Sequence, residues 1–277
     1  MASSNGRFVW YELITADMAS ARAFYASVVG WEMRDASMPG MAYTLCSTAR
    51  GSVCGLVDVA AEAAPAGEKP CWVGYVGVDD VDAAATRAIA LRGVVEVVPQ
   101  TIPGVSRFAI ITDPQFVPFG VIKWLMPRPP PAAPDTPGEI GWHELLASDE
   151  AAAFAFYQSL FGWQNAGDES GPMGTTRLLS IGGETIGGLL AKPPDAASPL
   201  WLHYFNVGDI DAAVKRATVA GGRVLHGPTA APGDKWLVQC MDPHGALFAM
   251  IGTRKASPVG YFKGAEEGEA SSTRFGA

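Results

Sequence analysis

The sequence predicts an α+β protein of two tandem domains built from four βαβββ modules. Three observations carry this reading: an octet that returns 132 residues later, an Asp and a Gly thirteen residues apart that occur four times, and a length of 277 residues, near the two-domain prior.

WYELITAD at 10–17 recurs as WHELLASD at 142–149. At the same offset Phe24-Tyr25 maps on Phe156-Tyr157, Gly30-Trp31 on Gly162-Trp163, Met41 on Met173, Thr44 on Thr176 and Gly55 on Gly187. Farther on, DDVDAA at 79–84 matches GDIDAA at 208–213, and Asp113-Pro114 matches Asp242-Pro243, at an offset of 129. This reading places a loss of three residues in the loops around 65–70 and 194–199.

Each module opens on an apolar strand that ends in Asp17, Asp80, Asp149 or Asp209. The Asp is the expected helix N-cap, because its carboxylate accepts from a free amide of the first turn. About three turns of Ala-rich helix follow, as in ASARAFYASVVG and IDAAVKRATVAGG. They end at Gly30, Gly93, Gly162 or Gly222, expected as left-handed C-caps. Short β-like runs such as RFAIITD, PFGVIKW, KWLVQCMD and ALFAMIG complete each module.

The domains are expected at 7–126 and 139–252, separated by a Pro-rich linker at 127–138 and followed by a polar tail at 253–277. As polyproline II the linker would advance about 3.1 Å per residue.

Composition narrows the function classes. Apolar residues make up 48% of the chain, which excludes a disordered polymer. The formal charge is −8, so the basic footprint of a nucleic-acid binder is missing. Polar or Gly/Pro breaks interrupt every apolar run before membrane-spanning length, so no membrane partner is expected. Cys46, Cys54, Cys71 and Cys240 form no Cys-x-x-Cys pair, and the first residues lack a signal-like apolar core. A cytoplasmic location is expected.

Tandem βαβββ modules with strand-Asp-helix-Phe-Tyr-x5-Gly-Trp and closing Asp-Pro-x-Gly motifs resemble the vicinal oxygen chelate superfamily of glyoxalases, bleomycin-resistance proteins and extradiol dioxygenases. Within it, the chain is most similar to two-domain bacterial glyoxalase-like or hydroxylase-annotated proteins whose first strands read Trp-x-Glu-Leu. The resemblance implies that modules curl into cups holding a divalent metal or, in the antibiotic-binding branch, only a ligand. Family ligand positions fall on Trp10, Val73 and Gly120, then on Trp142, Leu202 and Ala249. None of these supplies a nitrogen or oxygen donor of the kind such ions need. No metal and no cofactor are expected. His143 and His203 stand one residue past those positions, which by strand parity turns them toward the helices. His226 and His244 are expected in turns.

The same parity lines the cups with Trp10, Glu12 and Ile14, with Trp142, Glu144 and Leu146, and with Tyr75, Tyr204, Asn206, Ile122, Trp124 and Ile251. The candidate ligand-binding residues are Trp10, Tyr75, Trp124, Trp142, Tyr204 and Asn206; the candidate catalytic residues are Glu12 and Glu144. A mostly apolar, aromatic wall with few polar groups suits a small organic ligand. An acid amid apolar neighbours needs a partner or a raised pKa. Glu12 and Glu144 are thus either general bases or structural acceptors for Tyr75, Tyr204 or backbone amides. Arg107 is a solvated charge or a rim cation.

The expected function is capture of a small organic molecule in an aromatic, metal-free cup. The alternatives are a lyase, isomerase or hydroxylase-like enzyme using Glu12 or Glu144, or a metal-dependent version with off-register ligands such as Glu144 and His203. A monomer is expected, with a dimer the alternative; which modules pair stays open.

Overall fold

The computed structural model describes residues 5–38, 40–58, 70–129, 132–171, 174–194 and 196–255. Met173, residue 65 of the first proline loop and residues 256–277 of the tail lie outside the described residues. The first half runs β1 (Phe8–Thr15), α1 (Met18–Val28), β2 (Glu32–Asp35), β3 (Tyr43–Thr48), β4 (Gly51–Asp58), β5 (Cys71–Gly77), α2 (Val81–Ala90), β6 (Val94–Ile102), β7 (Ser106–Thr112) and β8 (Pro118–Trp124). The second repeats it: β9 (Ile140–Ala147), α3 (Glu150–Phe161), β10 (Gln164–Gly171), β11 (Gly174–Ile181), β12 (Glu184–Ala191), β13 (Leu200–Asp209), α4 (Ile210–Val219), β14 (Arg223–Ala231), β15 (Lys235–Met241) and β16 (Leu247–Thr253).

All four helices begin as the sequence predicts. The carboxylates of Asp17, Asp80, Asp149 and Asp209 accept from the amides of Ser20, Ala83, Ala152 and Ala212 at 2.9–3.1 Å. Their ends differ. Gly30 and Gly162 are left-handed (φ 89° and 77°), but after α2 and α4 that conformation falls one residue earlier, on Arg92 (φ 70°) and Gly221 (φ 89°). Gly222 is needed for space instead: a Cβ there would stand 2.9 Å from the Phe24 ring of the other half.

Modules one and two share one eight-stranded sheet, ordered β2-β3-β4-β1-β5-β8-β7-β6. Modules three and four form the other, β10-β11-β12-β9-β13-β16-β15-β14. Leading strands pair antiparallel (β1 with β5, β9 with β13), and each module's first strand runs parallel to its last. The register corrects the repeat alignment. Glu12 faces Gly55 and Glu144 faces Gly188, so after the β10–β11 hairpin the offset becomes 133 rather than 132. Thr176 is therefore the counterpart of Tyr43, and the later loop has lost four residues, not three.

The curled sheets pack back to back, with the helices crossing the seam. One core joins Phe24, Tyr25 and Trp31 of the first half to Phe205, Ala213 and Phe248 of the second; another joins Val76, Ile111 and Phe119 to Phe156, Tyr157 and Trp163. Polar pairs reciprocate across it. Tyr25 donates to Asp242 at 3.1 Å and Tyr157 to Asp113 at 3.0 Å, while Trp72 and Trp201 donate to those same hydroxyls. Trp31 donates to the Gly138 carbonyl and Trp163 to that of Gly6. The turn residues reach the opposite helix caps: the side-chain oxygen (Oε1) of Gln115 accepts from the Ser148 and Asp149 amides, and His244 bonds Ser20.

Two expectations about segments change. Residues 132–138 are not an extended spacer; they fold against the second sheet, where Asn206 donates to the Pro134 carbonyl at 2.7 Å and Lys235 stands 3.6 Å from Asp135. The second domain runs past residue 252, since β16 includes Thr253, and Arg254 forms a two-pronged pair with Asp211. His226 lies in β14 rather than in a loop. Among the described residues no helix is long and apolar enough to cross a membrane.

Candidate functional site

Period-two alternation puts Trp10, Glu12 and Ile14 on the inner face of the first sheet, where Trp10, Val73, Tyr75 and Ile122 pack with Tyr43, Phe108 and Trp124. Glu12 sits at the centre. Its Oε1 accepts from the Tyr43 hydroxyl at 2.7 Å and more loosely from the Trp10 indole at 3.4 Å; its Oε2 accepts from Tyr75. Burial raises the Glu12 pKa, opposed by those donors. The guanidinium of Arg128, from the linker, lies 5.1 Å from the Trp10 ring and 4.5 Å from Trp124, closing the group.

The second sheet repeats the arrangement with fewer donors. Glu144 accepts from Tyr204 at 2.5 Å and from the Trp142 indole at 3.2 Å. Its pKa is again raised, chiefly by burial. Thr176 replaces the second tyrosine; its methyl lies against Gly188 as Tyr43 lies against Gly55. A cavity of about 180 Å³ opens beside Trp142, lined also by Asn206, Ile251, Lys235, Gly141 and the Pro134-Asp135 strap.

The predicted residues thus fall into two constellations: Trp10, Glu12, Tyr75 and Trp124 in the first cup, and Trp142, Glu144, Tyr204 and Asn206 in the second. Asn206 is partly engaged, because its amide ties down Pro134. Sequence reasoning missed Tyr43, Arg128, Thr176 and Lys235. Arg107 is no rim cation; it pairs with Asp82 of α2 at 2.6 Å, on the outside.

His143 and His203 face the seam. The Ile186 carbonyl can only accept, so Nδ1 of His143 donates to it at 2.9 Å and Nε2 accepts from Tyr11 at 2.6 Å. Burial lowers the His143 pKa to about 4. His203 is fully buried, and neither of its ring nitrogens has a hydrogen-bond partner among the described residues. Its Cε1 would lie 2.6 Å from a Cβ on Gly74, so that glycine is the notch that receives it.

Paired βαβββ modules curled into one sheet per half, each with an inward carboxylate, define a vicinal-oxygen-chelate protein. The family model described as Glyoxalase/Bleomycin resistance protein/Dioxygenase superfamily matches residues 7–118 and 139–250, and the chain belongs to that superfamily. It is 31% identical over 245 residues to the Mycobacterium tuberculosis protein named "Putative glyoxylase CFP32", covering 87% of this chain and 93% of that one. To the "Anthracycline biosynthesis protein DauV" of Streptomyces sp. it is 28% identical over 268 residues, covering 92% and 96%. Among solved structures, the Mn(II)-bound glyoxalase of Novosphingobium aromaticivorans shares the fold at TM-score 0.63 and 16% identity, covering 90% of this chain and 82% of that one. The 2,3-dioxygenase LapB of Pseudomonas does so at 0.60 and 12%, covering 91% and 94%.

The residues of this chain do not fit a metal of the kind found in such relatives. Among the described residues no three His, Cys, Asp or Glu side chains converge. Glu12 and Glu144 already carry tyrosine and indole donors on their oxygens, and Asp135, the other acid beside the second cavity, faces Lys235. The off-register pair Glu144 and His203 is not brought together, because one faces the cup and the other the seam.

Proposed function

We propose that the chain binds a small organic molecule with aromatic character on the inner face of a cup, without a metal. The observation that carries this is Trp142, which lines a cavity of about 180 Å³ and donates to the half-buried Glu144 carboxylate, itself held by Tyr204. Aromatic walls supply area and a few oriented polar groups supply specificity. The relatives named for anthracycline biosynthesis are consistent with an aromatic ligand. The cavity, however, is smaller than the roughly 300–1,000 Å³ of drug-sized sites, which favours a ligand of one ring or two.

Catalysis is the second reading, favoured by the raised pKa of Glu144, which suits a general base. Glu144→Gln tests the two. A binder loses about tenfold in affinity or less, with no reaction to lose; a catalyst keeps its ligand and loses turnover by a hundredfold or more. Unchanged affinity and unchanged chemistry in that variant would remove Glu144 from the site.

A further inference from the structure

We infer that the two cups have diverged, the first filled by the protein's own side chains and the second, among the described residues, left open to an external aromatic ring that carries a basic nitrogen. This rests on the proposed binding function and adds the cup and the ligand class. The first cup supplies an internal template. There the Trp10 ring meets Trp124 edge-on, with centroids 5.5 Å apart, and the Arg128 guanidinium lies over both.

In the second cup the matching indole is Trp142, with Glu144 below it as Glu12 lies below Trp10. The filling differs. Ser106 pairs with Trp124 in the first sheet and Lys235 with Thr253 in the second, so Thr253 occupies the position of Trp124. Leu237 likewise replaces Phe108, and Thr176 replaces Tyr43. Among the described residues Trp142, beside Tyr204 on the neighbouring strand, makes no edge-on ring contact or cation–ring contact of the kind Trp10 makes with Trp124 and Arg128, and it lines the cavity. A volume near 180 Å³ takes one aromatic ring with a short substituent, since roughly 150 Å³ of apolar cavity holds a benzene.

The cationic part follows from the same comparison and from local charge. Indole faces attract cations. Lys235, the cation of the cavity lining, is paired with Asp135, and the Glu144 carboxylate lies next to the cavity, on the indole nitrogen of Trp142. An arylalkylamine would place its ring where Trp124 lies in the first cup and its nitrogen where Arg128 lies.

Titrating the full chain with tryptamine, indole-3-acetate and indole, by calorimetry and by the NMR shift of the Trp142 indole proton, tests this. Tryptamine is expected to bind at one site, at least tenfold more tightly than indole-3-acetate. Thr253→Trp, at an exposed position, is expected to weaken it at least tenfold by refilling the space; Leu237→Trp serves the same end from another wall if the first variant does not fold. If tryptamine binds but both variants keep full affinity, the cup assignment is overturned while the broader binding function stands. If the acid binds as well as the amine, the basic nitrogen is overturned. If none of the three binds at millimolar concentration, the inference fails, and the binding function is then judged on other aromatic ligands.

Discussion

At the scale of single residues, opposite sheet faces hold ionisable groups that pull against each other with pH. His143 has its pKa lowered to about 4 by burial, against about 6.5 in an unfolded chain. The fold therefore favours its neutral form. Its contribution is complete above pH 6.5 and is lost as pH falls toward 4, by roughly 3 kcal/mol in total. Glu12 and Glu144 have the opposite sign: their pKa values are raised, so the fold favours the protonated acid and pays as pH climbs from the ordinary carboxylate range to the raised value. Denaturant titrations from pH 7 to 4 should show stability falling with acid, and His143→Gln, though weaker at neutral pH, should flatten that decline. A slope identical to the parent would show that His143 is not responsible. The inward glutamates, the ring-lined faces and the outward histidines were legible from strand alternation alone. Tyr43 was not, because its role depends on which residue of a neighbouring strand it meets. That register hinges on a hairpin whose length differs by one residue between the halves.

At the scale of elements, the recurrent Phe-Tyr and Asp-Pro signatures acquire a shared purpose. The tyrosine of each half's first helix donates to the aspartate of the other half's last turn and accepts from a buried tryptophan. Tyr157→Phe strips a donor from Asp113 and an acceptor from Trp201, both buried. The expected loss is about 2–6 kcal/mol, at 1–3 kcal/mol for each unsatisfied group, read as a lower denaturation midpoint with unchanged slope. A loss under 0.5 kcal/mol would mean that water replaces the hydroxyl. The sequence displayed these motifs, but their partners lie in the other half, 217 and 44 residues away. Spacing along one chain carries no signal for that. The helix starts were readable for the converse reason, since a capping aspartate acts within three residues of itself.

At the scale of the whole molecule, each half lends its helices to a core completed by the other. Expressed alone, residues 1–129 or 130–277 would expose an apolar outer face. They are expected to aggregate or self-associate, and to form a one-to-one complex when co-expressed, as size-exclusion chromatography would show. Two independent, stable, monodisperse halves would contradict the shared core. The intact chain, with that face covered, is expected to run as a monomer. The proline linker misled on this scale: its composition reads as a spacer, whereas residues 132–138 are held by Asn206 and Lys235 over the mouth of the second cup.

The notch at Gly74 has a consequence for how such a chain can change. His203 enters it from the equivalent position on the opposite sheet, and Tyr11 meets His143 in the same way, tyrosine against histidine. Two identical copies joined about a twofold axis could make neither match: they would set imidazole against imidazole, or leave a void between two glycines. Covalent fusion of the copies lifts that constraint, letting a bulky residue on one side be answered by a small one on the other. The same freedom lets one hollow fill itself while its twin stays available to a guest.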